Sequence, residues 1–136
     1  MNETPYQILR EELIQWISIK TGLFHIDTPT NKEAKVGLFT IINTKGEAIS
    51  KNREVEYYKI LFYKYNERTI VSYKALHNSI CELRSKVFNA IAENYESSEA
   101  GIIDFDYLEY EYDYEKGVLA ILYSFDFERQ YYEEVS

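Results

Sequence analysis

Two histidines, one cysteine and a dense run of carboxylates are the side chains in this chain whose type and spacing could do chemistry. His77 stands four residues before Cys81, so both fall on one face of a helix and could offer two metal ligands at i and i+4. A tetrahedral zinc site needs further thiolates or imidazoles, and no others are spaced to join them. His77 therefore reads as a partly exposed helix histidine and Cys81 as core, with nothing nearby to activate the thiol. His25 lies beside a loop, with Asp27 two residues on. The carboxylates Asp104, Asp106, Glu109, Glu111, Asp113 and Glu115 could hold a hard cation through oxygen,. They lack the spaced Asp/Asn-Gly pattern of a dedicated calcium loop, and Asp104 and Asp106 alternate with apolar residues as a solvated strand face does. Nor does any pair carry the signature of a glycosidase acid and its ionised partner.

Other motifs are missing too. The five glycines are isolated, so no phosphate-cradling loop is present,. No nucleophile elbow and no His-Glu-x-x-His occurs. Lys51, Arg53, Lys59 and Lys64, interleaved with Tyr57, Tyr58 and Tyr63, imitate a stacking platform for single strands,. A formal charge of −8 opposes a phosphate-binding role,. These residues point to a protein that is not an enzyme, with no cofactor and no metal.

The charge is divided unevenly along the chain. Residues 93–136 hold 13 acidic and 2 basic side chains, a net of −11; residues 1–92 hold 10 acidic and 13 basic, a net of +3. Such asymmetry suits a solvated surface, and it also suits head-to-tail association of identical subunits. Fourteen tyrosines and seven phenylalanines favour strands and protein-facing surfaces,. With 136 residues the chain is expected to form one domain over residues 1–130, burying roughly 65–70% of its unfolded surface, with a tail at 131–136,. The single cysteine fits a reducing compartment. Met1-Asn2-Glu3 has no signal-peptide character and no apolar run nears a membrane span, so a cytosolic setting without membrane contact is expected,.

The elements that must position these residues follow from periodicity. Thr4 with Pro5 and Gln7 forms a capping box, and Tyr6, Leu9, Leu13, Trp16 and Ile17 make a helical stripe that Gly22 ends,. Leu23–Ile26 could be a short edge strand, followed by a loop from Asp27 to Lys35 containing Pro29. Val36–Asn43 reads as a buried strand, Asn43–Glu47 as a turn, and the polar stretch to Arg53 as a long mobile loop. Val55–Tyr65 is the next strand, with Lys59 and Lys64 keeping it soluble or marking an edge. Tyr73, Leu76, Ile80, Leu83, Val87 and Ile91 define a second helix of about 25 residues beginning near Ile70,. After a loop from Asn94 to Gly101, Ile102–Tyr112 and Val118–Arg129 form a hairpin with one aromatic and one acidic face. The reading is an α+β protein in αββαββ order, an antiparallel sheet with both helices on one face.

This layout resembles the tail-terminator, or tail-completion, proteins of long-tailed bacteriophages. The matching parts are the helix Thr4–Gly22, the proline-containing loop Asp27–Lys35, the strands Val36–Asn43 and Val55–Tyr65, the helix Ile70–Asn94 and the hairpin Ile102–Arg129. The resemblance is one of layout and length and spans nearly the whole chain. It implies a virion assembly protein, put together in the host cytoplasm. It further implies a homo-oligomeric ring, usually a hexamer, that caps the tail tube and joins it to the head connector. The tube and connector proteins would be its partners, and DNA would pass through without specific binding. The interface or lumen candidates are Asp104, Asp106, Glu109 and Glu111 on the acidic side and Lys51, Arg53 and Lys59 on the basic side. The alternative is a small acidic binding or immunity-type protein that covers a basic partner.

Overall fold

A computed structural model describes residues 4–27, 37–64 and 72–128. The Pro29 loop, Val36, the strand end at Tyr65, the break at 66–69, the helix start near Ile70 and the tail lie outside these residues.

The first helix, α1, spans Pro5–Thr21. The Thr4 backbone N–H donates to Gln7 Oε1 at 2.7 Å, while Gln7 N–H donates back to the threonine hydroxyl at 3.4 Å. Gly22 closes the helix at φ 73°, a left-handed conformation that costs a glycine nothing,. Leu9, Leu13 and Ile17 are fully buried, each worth about 1.5–3 kcal/mol of transfer free energy,. Five strands follow the pattern: β1 (Phe24–His25), β2 (Leu38–Ala48), β3 (Arg53–Tyr63), β4 (Ile102–Asp113) and β5 (Val118–Glu128). The second helix, α2 (Tyr73–Asn94), lies between β3 and β4 in sequence. Its Ser72 cap accepts from Ala75 N–H, and its buried stripe is Leu76, Ile80, Leu83, Val87, Ala90 and Ile91. Tyr73, expected in that stripe, is 66% exposed because it sits in the first turn, beyond the edge of the core.

The class is α+β, and one sheet of order β1-β2-β3-β5-β4 carries it. β2, β3, β5 and β4 are antiparallel neighbours, and the two-residue β1 runs parallel to β2. One face of the sheet carries Phe39, Ile41, Tyr58, Ile60, Phe62, Leu119, Ile121, Tyr123, Phe125 and Phe127, all buried in a single core with both helices. Tyr6 of α1 meets Phe127 edge-on at 5.6 Å, and Phe88 of α2 meets Phe105 at 5.8 Å. Among the described residues no helix is long and apolar enough to cross a membrane.

Besides Tyr73, three sequence expectations are corrected, and the first is Cys81, expected in the core but only part-buried. Asn43–Glu47 is strand, not turn: β2 continues to Ala48 opposite Glu54, with a bulge between Asn43 and Lys45. The turn is the four residues 49–52, where Ile49 and Ser50 N–H both donate to Arg53 O. Polar, glycine-containing sequence resembles a turn locally, but β3 supplies ladder partners for every residue of the stretch except the bulged Thr44, and Gly46 sits where a Cβ would come within 2.8 Å of the Glu56 carboxylate. Lys59 marks no edge either, because β3 is the central strand of the sheet.

Candidate functional site

The acidic candidates lie on β4, an edge strand of twelve residues with no described strand on its outer side. Plain alternation would set Asp104 and Asp106 on one face and Glu109 and Glu111 on the other. Two irregularities in the pairing change this. Register steps from Ile102 opposite Phe127 to Asp104 opposite Asp126, and from Tyr107 opposite Tyr123 to Glu109 opposite Leu122. Ile103 and Leu108 are thus extra residues, 46% and 45% exposed. Each such bulge reverses the facing of everything beyond it. The second bulge brings Glu109 and Glu111 onto the same face as Asp104 and Asp106, turned away from the helices. It also places Tyr110 and Tyr112 with Phe105 and Tyr107 on the helix face.

Four exposed carboxylates therefore form one ladder, with Asp113 at its end. Asp104 stands directly across from Asp126, a like-charge pair that would be unfavourable alone,. Arg53 relieves it, its Nη2 lying 2.9 Å from Asp126 Oδ2. So this basic candidate is engaged within the chain. Lys59 is half-buried in the row Ile42, Lys59, Leu122, Glu109. Two strand spacings, about 10 Å, separate its backbone from that of Glu109. Lys51 sits apart, in the exposed β2–β3 turn. The basic candidates do not gather into one patch; the acidic ones do.

The remaining titratable residues fall elsewhere. His25 packs edge-on to Phe39 at 5.4 Å, with Nδ1 3.8 Å from Asp27. Among the described residues no three His, Cys, Asp or Glu side chains converge as a metal would require. His77 Nε2 lies 3.6 Å from Cys81 Sγ. On the other side of that sulfur is Arg84, its Nη2 at 3.9 Å. Sequence reading passed over Arg84, whose guanidinium carbon lies 3.9 Å from the Tyr110 ring centroid and which also bonds to Tyr107. The signal was available in the helix spacing Cys81, Arg84, Ser85 and Phe88, which lines one cavity with Tyr107 and Tyr123. At the hairpin turn, Tyr114 bonds to Tyr73 across 3.4 Å, and this bond, followed by burial and the charge of neighbouring tyrosines, pushes its phenol up to about 12.

No protein-family model matches the chain, and no curated protein matches it.

Proposed function

We propose that this protein is a structural assembly protein that works as a homo-oligomeric ring, resembling the phage tail terminators. In this reading it joins a tail tube protein to a head connector within a virion, and DNA passes through it unbound. The observation that carries the reading is the ladder Asp104, Asp106, Glu109 and Glu111 on the outward face of an edge strand. Carboxylates so placed repel phosphate, which suits a DNA passage, and they attract a basic surface, which suits contact with a neighbour. The net of +3 over residues 1–92 is opposite in sign to this ladder, which favours head-to-tail contact between subunits,.

The test is mass in solution across a concentration series, by light scattering. A ring approaches six times the 16.2 kDa of the chain,. Asp104→Lys with Asp106→Lys should abolish that species while the far-ultraviolet circular dichroism stays unchanged. A monomer at every concentration, with or without the reversal, would refute the ring. It would instead favour the second reading that the same ladder supports, an acidic binding or immunity-type protein covering a basic partner.

A further inference from the structure

On the helix side of the sheet, away from the acidic ladder, α2, β4 and β5 border an open groove of about 280 Å³. Cys81, Arg84, Ser85 and Phe88 line it from one face of α2; the cross-strand neighbours Tyr107 and Tyr123 line it from the sheet. That volume lies just below the roughly 300–1,000 Å³ of drug-sized pockets, so the groove has room for a small molecule or a single side chain.

Its polar groups are incompletely satisfied. Tyr123 is 1% exposed and forms part of the groove wall on the sheet side. Arg84 Nε is buried without an acceptor. The rest of that guanidinium contacts Tyr107, the Cys81 sulfur and the Tyr110 ring, and no described carboxylate pairs with it. A half-buried cation without a counter-charge is unexpected in a chain with 23 acidic residues,. One buried donor without an acceptor thus belongs to a side chain that lines this cavity, and a donor left unmade costs free energy until an acceptor arrives,.

We propose that this groove binds a carboxylate, with the Arg84 guanidinium and the Tyr123 hydroxyl as donors and the Phe88 and Tyr107 rings flanking a flat apolar body. A planar carboxylate matches the guanidinium fork. One cation compensates one charge, and the −8 of the chain disfavours a dianion such as phosphate,. Burial, with the neighbouring Tyr107 next, pushes the Tyr123 phenol well above its ordinary value, so it stays a protonated donor at neutral pH. The carboxylate can belong to a free small acid or to an Asp or Glu of a second copy of this chain. The site does not depend on the ring.

Cys81 is the only cysteine and lines the same groove, so its alkylation by a neutral maleimide reports occupancy. Benzoate should slow that reaction saturably, about tenfold at ten times its dissociation constant. Benzamide, of the same shape but uncharged, should not. Tyr123→Phe should weaken the protection and Arg84→Gln remove it; Arg84→Lys, which keeps the charge and loses the fork, should weaken it if the glutamine variant does not fold. A second arm omits benzoate and raises the protein concentration: a falling rate per molecule assigns the carboxylate to another copy, and a constant rate with benzoate protection assigns it to a free acid. Failure of protection in both arms overturns the proposal. So does equal protection by benzamide, or benzoate protection that survives unchanged in Tyr123→Phe and Arg84→Lys.

Discussion

At His25 the side chain is only 12% exposed, edge-on to an aromatic ring, and its Nε2 is buried without a partner. Burial first, and the Arg10 charge second, hold its pKa below 6.5, against the opposing pull of Asp27 and Glu11. The unfolded chain therefore binds a proton more readily than the folded one over the interval just below 6.5. Stability falls as pH drops through that interval and levels off once both states are protonated. Urea unfolding midpoints measured about one pH unit either side of 6.5 should show this slope, and His25→Gln should flatten it. Equal slopes in both proteins would remove His25 from the account. Sequence showed Asp27 nearby but not the burial, because β1 reaches His25 to Phe39 only through a parallel pairing with β2. Arg84 was missed for a similar reason. Its chemistry comes from Tyr107, Tyr110 and Tyr123, which lie 23 or more positions away along the chain.

Both helices were legible because caps and a 3.6-residue period are local signals. The sheet was legible in part. In β5 the alternation of Leu119, Ile121, Tyr123, Phe125 and Phe127 was read correctly, and all five are buried. β4 was harder, since a bulge adds one residue without altering composition. A trace was nevertheless present: Asp104 and Asp106 fall on even positions, Glu109 and Glu111 on odd ones, and an acidic face containing all four requires an extra residue between them. Deleting Leu108 tests this account. With the bulge gone, residues on one side of the deletion must turn over, driving Glu109 and Glu111 towards the core or forcing the strand out of register. The expected outcome is loss of several kcal/mol of stability, or failure to fold, seen as a collapsed thermal midpoint. Leu108→Ser keeps the residue count and should shift that midpoint by only a few degrees. A deletion as mild as the serine variant would mean that the ladder does not depend on the bulge. The stretch 43–47 failed as a turn for the converse reason. Its polar residues pair with a strand whose extent is set by β5, not by its own sequence.

For the molecule as a whole, charge is the organising quantity, and it was countable from the start; its arrangement in space was not. The acidic excess of residues 93–136 includes the five carboxylates of β4, and these become a directional feature only when β4 takes the edge of the sheet. The same edge has a consequence for handling. The outer side of this twelve-residue strand, which no described strand covers, is a template for another strand, and Ile103 and Leu108 add exposed apolar side chains to it,. At neutral pH an antiparallel meeting of two such edges would bring carboxylate against carboxylate, which keeps the edges apart. Near the isoelectric point of about 4.8 that protection fades as the net charge vanishes,. Acidified stocks should then turn turbid and bind thioflavin T, faster than the same protein at neutral pH. Added salt at neutral pH should reproduce the effect weakly by screening. If acid precipitates stayed dye-negative and amorphous, the edge would not be the template. The carboxylates of β4 would thus act as gatekeepers against amyloid, a colloidal safeguard that operates whatever partner the protein meets.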